Sequence, residues 1–318
     1  MRFGVSIPNY GAAVSPERLT AWAQSSERLG FDLAMVTDHL AQPADVRRAY
    51  PEDFYESFAA LTYLVAVTST IRLGTSVTVL PLRHPVHTAR AIATIDQLSG
   101  GRIVLGVGVG GNEQEYRALG LDYARRGAMT DEYLTILDRL WTGRLVSFSG
   151  KFVGFDDLLA TPSPRQPSGP PLWFGGSAEP ALRRAITHHG TWHPVFPTLE
   201  TLDAGIRHAV ELAAASDTPA PPIAPRIRLS ITSSPHREVD RPLGVGSIEQ
   251  ITTDLHELAA RQVETVVLDP VHHPFLPDAP ATRDSARDAR EWAAVEQLAT
   301  EVLEPVFRLG RTAAEARV

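Results

Sequence analysis

The chain has 318 residues, of which 43% are apolar, a formal net charge of −7 and no cysteine. This size can bury one large core, so one barrel-sized domain or two smaller domains are possible. The lack of cysteine excludes disulfides, thiolate catalysis and cysteine-ligated metal sites, and the acidic balance argues against a general nucleic-acid surface. Since the chain starts directly with a strand pattern and has no apolar run of about 18 residues, we expect a soluble cytoplasmic protein without a membrane partner.

Strand patterns and helix patterns alternate along most of the chain. Apolar, β-rich runs predict strands at residues 3–7, 33–36, 71–79, 103–109, 171–175, 191–195, 227–232 and 265–268. Helical spacing of apolar residues predicts helices at residues 16–29, 56–68, 86–98, 112–119, 126–140, 179–188, 199–214, 248–261 and 286–307. Eight strands that alternate with helices predict an α/β fold, a (β/α)8 TIM barrel, with a doubly wound sheet as the alternative.

The alternation lapses in two places. Residues 42–54 form a loop pattern of mixed charge and aromatic residues. Residues 145–171 contain SFSGKFVGF, which predicts a hairpin, and TPSPRQPSGPP, which predicts a proline-rich loop. We interpret this second stretch as an insertion after the fourth β/α unit that covers one end of the sheet. The prediction is therefore a single domain over residues 1–318, with an insertion at about residues 145–171.

Polar and glycine-rich residues collect where the third and fourth strands end. Ser76 and its threonine neighbours lie toward the carboxyl end of the third strand, and GVGVGG at 106–111 spans the carboxyl end of the fourth. Parallel strands place their carboxyl ends on one side, where α/β folds bind ligands. The glycines match G-x-G-x-x-G, but the motif lies at the fourth strand, and Asp131, about 20 residues further on, falls in a predicted helix. They indicate either backbone that approaches a ligand at a helix start or tight packing alone.

Two further strand ends carry candidate residues. Asp38 and His39 follow the second strand. Histidine commonly moves protons near neutral pH, and the aspartate could hold it or bind ligand hydroxyls; an ordinary polar loop pair is the alternative. Gly175, Gly176 and Ser177 lie between the fifth strand and a helix, as a phosphate cradle or as a simple turn. Three small-residue sites at one mouth favour a phosphorylated ligand.

Histidines elsewhere give a weaker signal. His188, His189 and His193 lie near the sixth strand, and the His272-His273 pair follows the eighth. A metal-dependent barrel hydrolase would carry H-x-H on its first strand, and residues 3–7 contain no histidine. We therefore expect no metal site and interpret these histidines as helix-surface or loop residues. The chain also lacks a G-x-S-x-G elbow and a Walker A motif.

Charged residues near the mouth allow more than one interpretation. Arg83 and His84 follow the third strand and could meet a ligand phosphate or cap the loop. Glu113 and Glu115 begin a predicted helix, where carboxylates suit the helix dipole. We expect these two glutamates to form a solvated first turn.

Most of residues 2–187 resembles the bacterial-luciferase-like (LLM class) flavin-dependent oxidoreductases, in particular their F420-dependent oxidoreductase branch. The matching stretches, in the family's order and spacing, are RFGVSIPNYG, ERLGFDLAMVTDHL, SFAALTYLVAVTSTIRLGTSVTVLPLRHPV, ATIDQLSGGRIVLGVGVGGNEQEYRALG, RGAMTDEYLTILDRLWTG and PLWFGGSAEPALRRA. The C-terminal third matches only in broad pattern. The resemblance implies a (β/α)8 barrel with an insertion after the fourth β/α unit, and a flavin or deazaflavin bound at the carboxyl ends of the strands.

The resemblance also implies roles for individual residues. His39 would lie near the reacting ring and act in proton transfer, and Asp38 would help to hold that ring. A non-prolyl cis peptide at Ser76-Val77 would back the ring. The family's segments for the cofactor tail map onto Gly108, Val109, Gly110, Gly111 and Gln114, and onto Gly175, Gly176 and Ser177.

Two positions depart from the family pattern. Members commonly carry G-D-G-W after the fifth helix, where this chain has HGTWH at 189–193. Cofactor or substrate contacts near the sixth strand therefore stay open. The catalytic glutamate of a sugar-phosphate-oxidising relative falls at Gly111. That specific chemistry is not expected here.

The sequence predicts an enzyme that transfers a hydride between reduced coenzyme F420 and a small organic substrate, an activated alkene, imine or carbonyl. One alternative is a luciferase-like monooxygenase that uses reduced FMN and oxygen. Two others are a barrel that binds cofactor without redox turnover and a metal-dependent hydrolase. The resemblance favours a homodimer, to which the apolar helix at residues 58–67 could contribute.

Overall fold

Eight short runs of buried residues form parallel strands in the computed structural model, which describes residues 1–11, 13–49, 53–237, 240–270 and 285–307. These strands are β1 (Arg2–Ser6), β2 (Leu33–Val36), β3 (Arg72–Thr75), β4 (Ile103–Gly108), β5 (Leu172–Gly175), β6 (Thr191–His193), β7 (Arg226–Arg228) and β8 (Thr265–Asp269). Their order in the sheet is β7-β8-β1-β2-β3-β4-β5-β6, and each neighbouring pair is parallel.

The pairing of β1 with β8 decides between the two predicted folds. Gly4 of β1 lies in register with Val267 of β8, so the first and last strands are neighbours. At the two ends of the strand order, Val195 after β6 forms a parallel bridge with Arg226 of β7. The sheet is therefore nearly closed on itself. This confirms the (β/α)8 barrel and excludes an open doubly wound sheet.

Helices surround the barrel and contribute most of the apolar core. They are α1 (Pro16–Arg28), α2 (Ala44–Ala49), α3 (Ser57–Val67), α4 (Pro85–Ser99), α5 (Glu113–Ala118), α6 (Arg126–Leu140), α7 (Glu179–Thr187), α8 (Leu199–Ala215), α9 (Ile248–Ala260), α10 (Ser285–Leu298) and, after a π-helical turn at Ala299–Leu303, α11 (Glu304–Phe307). Within the described ranges, no helix is both long and apolar enough to cross a membrane.

A second, smaller apolar cluster fills the inside of the barrel. It joins residues of strands that are not neighbours in the sheet, so these side chains meet across the barrel axis. Its members are Leu33, Met35, Val104, Trp173, Ala224 and Val267. Apolar residues therefore close the barrel interior below the carboxyl ends of the strands, and polar side chains are left for the mouth.

The predicted third strand is interrupted where a ligand site was expected. Strand β3 ends at Thr75, and extended structure resumes at Thr78–Val79. Gly74 pairs with Val104, but Thr78 pairs with Val107, so β3 carries one extra residue relative to β4. The peptide bond Ser76-Val77 inside this bulge is cis, at the position implied by the resemblance. The bulge re-aims the chain at the barrel mouth.

Three other segments differ from or refine the sequence predictions. The predicted seventh strand splits after Arg226–Arg228, because Ser230–Ile231 leaves the barrel and pairs with Val245–Gly246, a strand that was not predicted. The loop predicted at residues 42–54 contains the helix α2. The hairpin in the insertion is confirmed, since Val146–Ser149 and Gly154–Leu158 pair antiparallel as a separate sheet.

The side chain of Val77 explains several of the glycines. A Cβ at Gly108 would lie 2.7 Å from Val77 Cγ2, and a Cβ at Gly175 would lie 2.9 Å from the same atom. A Cβ at Gly106 would lie 1.9 Å from the carbonyl oxygen of Thr75. These glycines thus make room for the β3 bulge. A Cβ at Gly111 would meet no atom of the described residues within 4 Å, so packing does not require glycine there.

We expect Gly106→Ala to destabilise the fold by roughly 3 kcal/mol, because the added methyl group would collide with the Thr75 backbone, which cannot move without shifting β3. Gly111→Ala is the matched control and should change the free energy of unfolding by less than about 0.5 kcal/mol. Urea unfolding followed by circular dichroism measures both values. Equal stability of the two variants would show that the close approach of β3 and β4 is wrong.

Candidate active site

The barrel mouth gathers the predicted residues from four consecutive strands. Asp38 and His39 follow β2, the Ser76-Val77 bulge interrupts β3, and glycines end β4 and β5. Each local sequence ends a buried apolar run with small or polar residues, so the backbone leaves the sheet at the same level. The predicted site residues are thereby brought to one end of the barrel.

His39 is held by a carboxylate from α5. Its Nδ1 lies 2.9 Å from Glu115 Oε2, and Glu115 Oε1 accepts from the backbone N–H groups of Leu40 at 3.0 Å and Ala41 at 3.2 Å. An ionised carboxylate only accepts hydrogen bonds, so Nδ1 carries the proton and Nε2 is the basic nitrogen of the ring. Glu115 therefore holds His39 Nδ1, and the prediction that Asp38 could hold this histidine is wrong.

The position of Glu115 corrects the prediction of a solvated first turn. Glu115 is only 2% exposed, whereas Glu113 is exposed and pairs with Arg117 one turn further along α5. Asn112 caps the helix, and its side-chain oxygen accepts from the Glu115 backbone N–H at 3.0 Å. This cap sets the phase of the short helix so that Glu115 faces the loop after β2. Helix-dipole reasoning places a carboxylate in the first turn but does not say which face it takes.

Asp38 binds protein donors with both of its oxygens. Arg83 donates to Oδ1 and Oδ2 at 2.7 Å, Ser57 Oγ donates to Oδ1 at 2.8 Å, and the Val79 backbone N–H donates to Oδ2 at 2.9 Å. Arg83 also pairs with Glu56. Of the two alternatives for Arg83, the structure therefore favours capping the loop. Asp38 fixes the chain just after the Ser76-Val77 bulge.

A buried polar cluster packs against the other side of the bulge. Arg226 Nη1 donates to Ser76 O at 2.9 Å and to Ser76 Oγ at 3.1 Å, and Arg226 Nε donates to Asp269 Oδ2 at 2.9 Å. His193 Nε2 lies 2.8 Å from Ser76 Oγ. All four side chains belong to residues with at most 4% exposure. The prediction that His193 is a surface or loop histidine is wrong.

The surroundings of His193 define its charge and tautomer. Burial, together with the nearby Arg226 cation, lowers the pKa of His193 from 6.5 to about 4, although the hydrogen bond to Ala224 O opposes this shift. The ring is neutral at physiological pH. Since Ala224 O can only accept, Nδ1 donates to it, and Nε2 accepts from the Ser76 hydroxyl.

An open cavity of about 380 Å³ lies between the ends of β4 and β5 and the helices α6 and α7. Of the predicted cofactor residues, those that line it are Gly108, Val109, Gly175, Gly176 and Ser177. Gly110, Gly111 and Gln114 lie outside its lining, as do Asp38, Ser76 and Val77 at the bulge. The cavity is thus lined by part of the predicted set, and Val77 of the bulge packs beside the lining residues Gly108 and Gly175 without lining the cavity itself.

Two arginines that the sequence did not single out give this cavity a positive wall. Arg126 and Arg184 both line it; Arg184 Nε donates to Asp131 Oδ1 at 2.6 Å, and Arg126 Nε is buried without a hydrogen-bond partner among the described residues. Helix α7 begins beside Ser177 without a side-chain cap, but Pro180 carries no N–H and the Ala181 N–H donates to Ala178 O at 2.9 Å. The orphaned guanidinium N–H of Arg126 is therefore the feature of this cavity that fits a phosphate group.

Some of the site residues that were not predicted have a recognisable sequence signal, and others have none. Asp269 is the last residue of β8, so the rule that selected Asp38 and His39 would also have selected it. Arg226 is the first residue of β7, so the same rule would not have found it. Arg126 and Arg184 lie on helices, where nothing in the local pattern separates them from surface arginines. His272 and His273 lie outside the described residues. Within the described part of the chain, no group of three or more potential ligands could hold a metal ion.

The low pKa of His193 predicts an acid-sensitive fold. Because the unfolded chain takes up a proton near pH 6.5 and the folded chain only near pH 4, the free energy of unfolding falls as the pH drops between these values. His193 should account for about 2 kcal/mol between about pH 7.5 and about pH 5. His193→Asn keeps a donor for Ala224 and should lose this part of the pH dependence in urea unfolding. The same pH slope in the variant and the wild type would contradict the assignment.

Comparisons with known proteins agree with this geometry. The family model described as luciferase-like monooxygenase matches residues 1–300. The chain is 35% identical over 229 residues to an F420-dependent glucose-6-phosphate dehydrogenase of Nakamurella multipartita, covering 67% of this chain and 63% of that protein. It is 31% identical over 207 residues to an FMNH2-dependent dimethylsulfone monooxygenase of Pseudomonas putida, covering 61% and 55%. The matches thus span less than two thirds of these curated relatives.

A solved structure extends the likeness to the whole barrel. The coenzyme F420-dependent tetrahydromethanopterin reductase of Methanopyrus kandleri superposes with a TM-score of 0.75 over 95% of this chain and 98% of that chain, at 18% identity. At this identity the likeness concerns the fold alone. The family model and the barrel together confirm the resemblance, and the chain belongs to the luciferase-like monooxygenase family, which includes F420-dependent and FMN-dependent oxidoreductases.

Proposed function

We propose that the protein transfers a hydride between reduced coenzyme F420 and a small organic substrate, an activated alkene, imine or carbonyl. The observation that carries this proposal is the His39–Glu115 pair at the barrel mouth. A histidine with a fixed tautomer suits the proton transfer that must accompany hydride transfer to carbon, nitrogen or oxygen. When bound, the deazaflavin ring would supply the hydride itself.

Glu115 acts on His39 in two ways in this proposal. It keeps the proton on Nδ1, which leaves Nε2 to accept a proton from the substrate or, once protonated, to return it. It also stabilises the imidazolium while that proton is on the ring, since Glu115 is buried and its negative charge lies 2.9 Å away. His39 itself keeps access to the mouth, because its side chain is 21% exposed.

The remaining predicted residues would hold the cofactor in two places. The cavity with Gly108, Val109 and Gly175–Ser177 would take the phosphate of the tail, with Arg126 and Arg184 as counter-charges. The Ser76-Val77 bulge would support the ring, and Asp38 would act through the bulge by fixing Val79. Gly110, Gly111 and Gln114 would border the tail outside this cavity.

The choice of F420 over FMN rests on the relatives. The F420-dependent relative matches this chain over 229 residues at 35% identity, and the FMNH2-dependent relative over 207 residues at 31%. Both cofactors carry a phosphate, so the arginine-lined cavity fits either one. Oxidation of a sugar phosphate is not part of the proposal, because Gly111 stands where the sugar-phosphate-oxidising relative carries its catalytic glutamate.

The homodimer stays a prediction. In the single chain, α3 presents a small face to solvent formed by Ala59, Thr62 and Tyr63. Burial of this face between two copies would extend the apolar packing of α3. Sedimentation equilibrium measures the state directly.

Cofactor titration is the first test of the proposal. The purified protein should quench F420 fluorescence with a lower dissociation constant than it shows for FMN. Arg184→Gln should weaken F420 binding at least about tenfold, because it removes a cation from the cavity wall. Arg183→Gln is the matched control, since Arg183 is exposed on the same helix and pairs with Glu179. Tight FMN binding without any F420 response would instead support the monooxygenase.

The proton-transfer assignment is tested by variants of the pair. His39→Asn should lower kcat by about 10²- to 10⁴-fold while F420 still binds. Glu115→Gln should lower kcat at least about tenfold, because a neutral amide with one acceptor oxygen cannot serve both the His39 ring and two backbone N–H groups. Glu113→Gln, on the exposed side of α5, should keep wild-type kinetics. Full activity of His39→Asn would remove this residue from the mechanism.

A further inference from the structure

Strand β7 sends two arginines into the barrel. Residues two apart on a strand share a face, and Arg226 crosses the interior to reach Ser76 on β3. Ile227 between them points the other way, into the core under the helices. Arg228 therefore lies on the interior face as well, roughly 7 Å nearer to the carboxyl end of the strand. This places its side chain at the barrel mouth, one level above the cluster that supports the bulge.

No carboxylate of the described residues binds the guanidinium of Arg228 directly, although the charge of Asp269 acts on it. Its Nε is buried without a hydrogen-bond partner, and no ion pair involves this side chain within the described ranges. Its central carbon lies 4.7 Å from the ring centre of Phe196, which holds it in place but supplies no acceptor. Asp269 faces Arg228 in register, yet its Oδ2 is bound by Nε and Nη2 of Arg226.

Arg83 and Arg226, the arginines that hold the bulge from its two sides, both have carboxylate partners. Arg83 binds Asp38 and Glu56, and Arg226 binds Asp269. A partly desolvated cation without a directly bound partner costs stability, and burial lowers the pKa of Arg228, although the charge of Asp269 opposes this shift. An unsatisfied buried polar group calls for an explanation, and a ligand that supplies the missing acceptor is one.

We propose that Arg228 binds an oxyanion of the organic substrate, a carboxylate, sulfonate or phosphate, at the mouth of the barrel. This inference rests on the proposed function for the identity of the reaction but not for the anion site itself. The phosphate cavity lies at β4 and β5, whereas Arg228 lies on β7, with β6 between them in the strand order. Two cation sites on separate strands would hold the cofactor tail and the substrate independently.

The test uses sulfate as the probe and the Nε–H signals of arginines in ¹⁵N NMR of the whole chain. The Arg228 signal is assigned by its loss in Arg228→Lys. In protein saturated with oxidised F420, or with FMN if that is the cofactor bound, sulfate should shift the Arg228 signal saturably. The Arg226 signal should move little, because its Nε is committed to Asp269. An Arg228 signal that sulfate does not move would overturn the proposal.

The same signals identify the source of the anion. If F420 alone moves the Arg228 signal and sulfate then does not, the cofactor's own carboxylates occupy Arg228, and the substrate assignment is wrong. If neither F420 nor FMN binds, the proposed function fails. The sulfate titration of the cofactor-free protein then still decides whether Arg228 is an anion site.

A stability measurement separates a binding role from a structural one. Arg228→Gln should weaken sulfate binding at this site at least tenfold and leave the dissociation constant of the cofactor within twofold. Its Tm should equal or exceed that of the wild type, because the variant removes a cation without a partner in the described structure. A clear fall in Tm with unchanged sulfate affinity would show that Arg228 serves the fold.

Discussion

The one-residue bulge at Ser76-Val77 is the constraint on which the barrel mouth depends. The bulge inserts one extra residue into β3, and the pairing with β4 resumes after it. The surrounding structure must therefore hold the bulge from several sides. Asp38 binds the N–H of Val79 after the bulge, and Arg226 binds the carbonyl of Ser76 within it. Glycines of β4 and β5 leave room for the Val77 side chain. Residues from β4, β5 and β7, and from the loop after β2, thus all contact this one segment.

Two buried ion pairs hold the bulge, and their value lies in geometry more than in stability. Asp38–Arg83 and Asp269–Arg226 both lie in buried surroundings, where desolvation cancels much of the attraction between the charges. Asp38 also accepts hydrogen bonds from Ser57 and Val79, and Arg226 also donates to the carbonyl oxygen of Ser76. Apolar residues could fill this space, but they could not orient the backbone of Ser76 and Val79. The two ion pairs therefore add little to the stability of the fold, but they fix the backbone at the barrel mouth.

The sequence predicts features that depend on one segment, but not features that depend on contacts across the barrel. The pattern at residues 126–140 coincides with α6, and the strand at residues 33–36 with β2, because capping and apolar runs act over one segment. The partner of His39 could not be found in this way. Glu115 is 76 residues away, and only the cap at Asn112 decides which face of a six-residue helix turns inward. The burial of His193 could not be predicted for the same reason, since it comes from β3 and β7 rather than from the neighbours of His193 in sequence.

The residues around the mouth fall into two groups by their place in the sequence. Residues of β2 to β5 and α5 to α7 form the His39–Glu115 pair and the cavity with Arg126 and Arg184, and they come from the stretch that resembles the family in order and spacing. His193, Arg226 and Arg228 come from β6 and β7, where the HGTWH departure lies and the resemblance is only broad. In the second group Arg226 pairs with Asp269 and supports the bulge, whereas Arg228 lies two residues further toward the carboxyl end of β7. The proposed anion site at Arg228 would therefore give the chain a substrate contact outside the stretch that it shares most clearly with the family.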